Sequence, residues 1–592
     1  MSSEGSASAD LVGVKPEGVR EFTVRAGVVA FLVAVIMGAS YPYIVLKLGF
    51  GPNVSVVAAF FGYLFLGIFV KGFNRWENNI VQTAGTSAAQ TAFMCILLAA
   101  FDMLAARNPA FTLRLSPLQS FLWLTTASVL GVLLAVPLRR HYIVDEKLTY
   151  ADGVAAGETL IVLDSKGTEG RKAAVAMGIG TAASALYMAV REEGLLLLSL
   201  AKWALPDQIL LGPKLIQKMG VGFSWSLLSL GSGMLVGVRI NASMMLGGLL
   251  SWVVGVLALT ALGWVPEAPT KVQVLFWVMW PATGMLIAGG MTALALKWKV
   301  LARSFSGLTG AQVGSSELPM KVVLGGAAAC TVVLMVIQQV NLGVPWWVTL
   351  LATIASVPLM LVGLRVLGET NWGPISSLSN MMQGVFAVIV PGSLSANMVA
   401  SGTTGTIASS SEGIIQDYKA GHMIGSTPKY LAYAQLAAVP VGAAAVAWIY
   451  PLLRDTYGIV GETAKLSSPA SARWAGFAEI LQGGVDALPP HALTAMGIFA
   501  ALGVLFTVLE ENKAIKPFVP SPTGVGIGML VPFAVVSTMF VGGLMGFAWE
   551  KADKKTSDSY AAPLASGLIA GEAILAVIVP ALVALKLLPM PG

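Results

Sequence analysis

The chain has 592 residues, 56% of them hydrophobic and 11% charged, with a mean hydropathy of +0.78. A soluble domain carries about 25% charged residues to cover its surface, so a soluble fold is excluded and lipid must be the solvent for much of this exterior. The formal charge of +6 reads as basic cytoplasmic loops rather than a nucleic-acid surface. Cys95 and Cys330, both inside apolar runs, support neither a disulfide framework nor a thiolate metal site.

Residues 1–23 are polar and of mixed charge, and read as a cytoplasmic tail rather than a cleavable signal. Apolar stretches long enough to span about 30 Å begin near Val24, Val54, Asn79, Phe121 and Ala173, then near Trp225, Ala242, Val274, Val322 and Trp346. Further ones begin near Met381, Tyr430, Ala492, Val525 and Leu564. They predict an all-α polytopic membrane protein with roughly fourteen to sixteen membrane segments on that length rule. The larger polar stretches are 1–23, 139–172, 298–320, 452–490 and 510–521. Lys71 and Arg75 follow the second span, and Arg139, Arg140, Lys147, Lys166, Arg171 and Lys172 follow the fourth. Placing both groups inside puts the N-terminus in the cytoplasm, against a modest counter-signal from Arg107 and Arg114. Between the basic flanks, Gly153 to Leu163 is about half a span, which predicts a re-entrant hairpin or a broken helix.

The sequence carries internal similarity. Gly231–Leu249 (GSGMLVGVRINASMMLGGL) and Gly526–Leu544 (GIGMLVPFAVVSTMFVGGL) align without a gap. Shorter pairings join Gly153–Glu158 to Gly567–Glu572, and the segment from Asn79 to that from Asn397. Together they predict duplicated, inverted halves, 24–320 and 321–592, with a binding site near the midplane where the repeats meet.

Polar residues inside such segments cost at least about 2.5–3.5 kcal/mol near the bilayer centre when charged, so their placement is informative. After Asn78, the residues Asn79, Gln82, Thr83, Thr86 and Gln90 fall on one helical face. That amide stripe reads either as a ligand wall for a peptide-like solute or as glue between helices. Asp152 is placed to cap a helix beginning at Gly153, with Glu158 inside it as a buried proton carrier or an ion-pair partner. Glu572 occupies the matching place in the second pairing. Arg239, Asn241 and Ser243 interrupt an apolar run, as a turn, a polar break or a site for an anionic group. The stretch from Asn371 to Asn380, then Ser401, Thr403 and Thr404 in a Gly/Ser/Thr run, reads as tight helix packing or as unwound backbone facing a ligand. Glu412 and Asp417 follow as further carboxylates for proton coupling.

NNIVQT (Asn78–Thr83), KLTYADGVAAGE (Lys147–Glu158), GSGMLVGVRINASMMLGGLLSW (Gly231–Trp252) and SSSEGIIQDYKAGHMIGSTPKY (Ser409–Tyr430) occur in this order over most of the chain. The set resembles the oligopeptide transporter family, including its yellow-stripe-like branch of metal-chelate transporters. The resemblance implies about sixteen membrane segments arising by duplication and proton-coupled uptake of short peptides or metal–chelator complexes. Ala151-Asp152-Gly153 stands where the plant metal-chelate branch tends to have Pro-Ser-Gly, which leaves the substrate open between peptides and chelates, and the lean form, without the long polar tails of many eukaryotic members, points to a bacterial member in the inner membrane. The expected partners are a small-molecule substrate, protons and lipid, with a homodimer left open. No cofactor or metal site is expected. An intramembrane enzyme lacks support, because His141, His422 and His491 form no HExxH and no phosphate-binding loop is present. A passive channel would favour fewer spans per chain around a symmetry axis.

Overall fold

The computed structural model describes residues 13–48, 54–67, 74–164, 168–191, 208–296, 317–370, 373–461, 464–483 and 489–584, apart from positions 110, 112, 149, 374, 467 and 513. Helix α1 (Val24–Leu48) leads to a short α2 (Val54–Gly62), then α3 (Arg75–Ala92), α4 (Cys95–Arg107), α5 (Pro117–Ala135), α6 (Ala151–Asp164) and α7 (Thr168–Arg191). A small antiparallel pair, β1 (Gln208–Leu210) and β2 (Gly222–Ser224), precedes α8 (Leu227–Val236), α9 (Val238–Leu249) and α10 (Lys271–Leu296). Helix α11 (Met320–Leu342) is followed by α12 (Trp346–Thr370), α13 (Ile375–Ile389), α14 (Leu394–Ile424), α15 (Pro428–Ala444), α16 (Pro469–Gly483) and α17 (Ala492–Glu510). The chain ends with α18 (Pro522–Leu530), α19 (Phe533–Ala552) and α20 (Lys554–Ala584).

Ten of the described helices are long and apolar enough to cross a bilayer. Elements of the bundle outside that criterion include short ones, as α6, α13 and α16 are, and a long polar one. Helix α14 is the polar one: its 31 residues are buried almost throughout, and lipid does not face it. Thr403, Thr404 and Thr406 return hydrogen bonds to the carbonyls of Val399, Ala400 and Gly402 at 2.8, 3.0 and 2.7 Å. The hydroxyls are thereby satisfied within the helix. The Gly/Ser/Thr run is a continuous helix packed by small residues, not unwound backbone. Helix α16 lies inside the stretch 452–490 that composition assigns to a polar loop. Pro469 opens it, and Ala470, Ala472, Trp474, Ala475 and Ala478 are buried.

The repeats are visible as exchanged contacts. The Cα of Gly233 lies so close to α19 that a Cβ there would sit 1.9 Å from the Met539 carbonyl oxygen. A Cβ on Gly528 would sit 2.0 Å from that of Met244. A shift of 295 positions carries Gly233 to Gly528 and Met244 to Met539, so each contact is the other with its partners swapped. Gly247 against the Val525 carbonyl (2.0 Å) and Gly542 against that of Leu230 (2.1 Å) repeat the exchange. Swapped contacts mark a two-fold relation. Ascending numbers on one helix meet descending numbers on the other, so the paired helices are antiparallel and the axis lies across them, in the membrane plane of a spanning bundle. This is the inverted-repeat arrangement.

The remaining elements pair in the same sense. A Cβ on Gly131 of α5 would sit 2.4 Å from the Ile407 carbonyl oxygen of α14, and one on Gly442 of α15 would sit 2.3 Å from that of Ala88 on α3. Contacts of α2 with α6 and α14 with α6 have counterparts in α13 with α16 and α4 with α16. Those of α7 with α20 correspond to α17 with α10. Helix α6 therefore matches α16, not α20, so the short sequence pairing of Gly153–Glu158 with Gly567–Glu572 is a chance likeness of Gly/Ala-rich helices.

Two helices break where the repeats cross. Between α8 and α9, Gly237 has φ +87°, a backbone that side-chain-bearing residues rarely adopt. The Asn241 amide donates to the Gly233 and Gly237 carbonyls, both at 2.8 Å. Of the readings open for this segment, the backbone is a polar break, and Asn241 braces it from α9 by donating to two carbonyls at the end of α8 and at the break, each of which also accepts a backbone N–H. Between α18 and α19, Val531 and Pro532 leave the helix, and the Trp252 indole donates to the Val531 carbonyl at 3.0 Å.

Candidate functional site

The duplicated short helices end on one cavity of about 780 Å³, within the size range of small-molecule sites. Its wall includes Val54 and Ser55 at the start of α2, Asp152 at the start of α6, and Ile375 and Ser376 at the start of α13. Pro469, Ala470 and Arg473 of α16 and Pro522, Thr523 and Gly524 of α18 complete these ends. The first-turn N–H groups of a helix have no intrahelical acceptor and carry a partial positive charge. Five such ends facing one space make it receptive to anionic groups. Phe93, Leu235, Leu286 and Ile527 supply apolar wall.

Charged side chains divide into paired and unpaired. Arg239 lines the cavity, is held by an ion pair with Glu510, and donates to the Val519 carbonyl at 3.0 Å. Arg473 lines it without a hydrogen bond or ion pair among the described residues, and its Nε is an orphaned donor. Glu412 is 5% exposed, and its Oε1 has no hydrogen-bond partner among the described residues. Its other oxygen packs on Gly373, two residues before α13, where a Cβ would lie 2.1 Å away.

Of the residues singled out from sequence, Gln90, Arg239, Asp152 and Glu412 reach this cavity, as do Gly373, Ile375 and Ser376 of the stretch from Asn371 to Asn380. The rest of the amide stripe lies behind it. Asn79 donates to Gln82 Oε1 at 2.9 Å, and Gln82 donates to Thr86 Oγ1 at 3.0 Å and to Asp417 Oδ1 at 2.6 Å. Gln435 donates to the second Asp417 oxygen at 3.1 Å, and Ser426 donates to Asn79 Oδ1 at 2.8 Å. Asn78 binds the Ala59 carbonyl at 3.1 Å. These side chains tie α3 to α2, α14 and α15. Asn241 spans the helix break, and Asn380 is buried away from the cavity wall. Ser401 bonds to the Met398 carbonyl (3.1 Å), Thr403 accepts from Gln338 (2.8 Å), and Thr404 shares a hydrogen bond with Ser356 (2.8 Å).

Two carboxylates differ from expectation. Glu158 is exposed, on the outer face of α6, and not buried inside the bundle. The helix begins at Ala151, so Asp152 is its second residue and not its cap. Glu572 is buried, and accepts from Lys47 Nζ (2.6 Å), Ser226 Oγ (2.9 Å) and the Leu228 N–H (2.9 Å) at the start of α8. Sequence reasoning missed Arg473 and Gln435. The available signal for Arg473 was an isolated basic residue in a Pro-initiated, Ala- and Trp-bearing helical pattern. Asn371 and Trp372 lie outside the described residues.

The family model described as OPT oligopeptide transporter protein matches residues 21–583. The chain belongs to the OPT oligopeptide transporter family. It is similar to a probable metal-nicotianamine transporter of Oryza sativa subsp. japonica, YSL12, at 23% identity over 96% of this chain and 88% of that protein. The metal-nicotianamine transporter YSL2 of Arabidopsis thaliana is 24% identical over 94% of this chain and 92% of its own length. A putative oligopeptide transporter of Saccharomyces cerevisiae, YGL114W, is 28% identical over 40% of this chain and 33% of its own. The family and these relatives are transporters rather than enzymes, so this family member is a multi-pass membrane transporter whose cavity has the dimensions of a small-solute site.

Proposed function

We propose that this transporter couples inward proton movement to uptake of short peptides or metal–chelate complexes, by alternating access around the cavity. The observation that carries the reading is the pair Arg473 and Glu412, which face one cavity without closing on each other or on another described residue. Both solute classes present carboxylates together with a cationic centre, and the relatives are named as transporters of one class or the other. Protonation of Glu412 removes a charge from the cavity wall and lowers the cost of carrying it through the bilayer interior. Asp152 and Asp417 are the neighbouring proton sites in this reading. The halves divided near residue 320 rock about the exchanged contacts of α8–α9 with α18–α19, in the cell membrane with the N-terminus inside. The test is uptake of labelled di- to pentapeptides and of nickel–nicotianamine into proteoliposomes with an imposed acid-outside gradient. Uptake collapses with an uncoupler, and E412Q loses its gradient dependence. Equal uptake at zero gradient and with uncoupler would instead mean a passive pore.

A further inference from the structure

We infer that the cavity takes a dipolar ligand in one orientation, its anionic end on Arg473 and its cationic end, an ammonium group or the metal of a chelate, on Glu412 and Asp152. The inference rests on the cavity being the transport site proposed above, and adds the residues that set its specificity. Inverted repeats bring equivalent positions to the cavity, and here those positions differ in charge. Asp152 is the second residue of α6. Ala470, 318 positions later, is the second residue of α16, and both line the cavity. The same shift relates Gly153, whose Cα packs on the Gln416 carbonyl, to Ser471, which donates to the Ile96 carbonyl at 2.7 Å. Arg473 on α16 then corresponds to Ala155 on α6. The shift of 319 that carries Ala88 to Ile407 carries Phe93 to Glu412, and both of these line the cavity as well.

Duplication alone would give two equal poles, each a short-helix N-terminus with partial positive charge. The side chains make the poles unequal. At α16 the guanidinium adds to the helix end. At α6 the Asp152 carboxylate offsets it, and Glu412 adds a second negative group. Neither Arg473 nor the Glu412 Oε1 atom is consumed by a hydrogen bond among the described residues, whereas the other cavity arginine, Arg239, is held by Glu510. Glu412 is buried, and Arg473 is half-buried with its Nε shielded from solvent; an ionic group withdrawn from water without a partner is costly, and a ligand carrying the complementary charge at each pole reduces that cost. A ligand with one kind of charge satisfies one pole only.

The experiment is calorimetric binding to the purified full-length chain, with trialanine, its C-terminal amide and its N-acetyl form. Blocking either end weakens binding to the native protein about tenfold or more. In R473Q the free peptide binds about as weakly as the amide does to the native protein. Amidation then costs nothing further, while acetylation still does. E412Q behaves in the converse way, and Arg473→Lys, which keeps the cation, retains sensitivity to amidation. If amidation costs as much in R473Q as in the native chain, or if both variants weaken all three peptides alike, the assignment is overturned. Should trialanine not bind, nickel–nicotianamine is the probe, and R473Q must weaken it about tenfold or more; binding of neither overturns the inference. End-selective binding without gradient-driven uptake overturns the transport mechanism and leaves this assignment standing. Gradient-driven uptake without end selectivity does the reverse.

Discussion

Asp417 illustrates what a carboxylate requires inside this bundle. It accepts from two amides, and one of these, Gln82, is itself positioned by Asn79 and Thr86. Gln82→Leu leaves Asp417 Oδ1 without that donor, so the expected cost is about 1–3 kcal/mol, read as a lower thermal unfolding midpoint in detergent. Asp417→Asn in the same background recovers part of it, because the neutral group tolerates the lost donor better. Glu572 obeys the same rule with an ion pair in place of the second amide. Lys47→Met alone strands a buried carboxylate and is expected to cost about 3–5 kcal/mol. Adding Glu572→Gln to it should restore stability, and a double variant less stable than Lys47→Met would refute the pairing. The amide stripe could be seen in the sequence from its helical spacing. Its partner Gln435 could not, because it is separated from Asp417 by a turn and a new helix and nothing local to it differs from any other buried glutamine.

At the scale of elements, helix-on-helix approach at the repeat crossing is set by glycine. Gly233→Ala and Gly528→Ala each drive a methyl group into a backbone carbonyl that cannot rotate away. Each is expected to cost about 1–3 kcal/mol, and the two should be alike because they are the same contact with its partners exchanged. Gly325→Ala and Gly497→Ala, with nothing within 4 Å of the added carbon, are the controls and should leave the midpoint unchanged or slightly higher. Long apolar helices are legible from composition because lipid exposure demands hydrophobic side chains over a fixed length. Short cavity-facing helices such as α16 escape that rule. They are surrounded by protein, so neither their length nor their hydropathy is fixed by the bilayer.

For the whole molecule, an inverted pair of repeats implies that an arrangement open to one side has a counterpart open to the other. With Cys95 and Cys330 replaced by serine, Ser376→Cys or Thr523→Cys places a thiol on the cavity wall. A membrane-impermeant maleimide should label it from one face at a time, and an imposed proton gradient with peptide should shift the labelled fraction to the other face. Simultaneous labelling from both faces under all conditions would sink the carrier mechanism.

The sequence by itself determined the membrane habitat, the all-helical class, the family and the 295-residue repeat. Each of these is written in local hydropathy or in aligned runs of residues, which need no knowledge of what lies across the bundle. Only the tertiary structure decided which polar residues are spent on the fold and which remain for a ligand. It moved Asn79, Gln82 and Asp417 into a closed hydrogen-bond chain, set Glu158 on the outside, anchored Glu572, and left Arg473 and Glu412 facing a cavity. The reason is physical: a buried polar group is defined by its partners, and in an inverted duplication those partners come from helices hundreds of residues away.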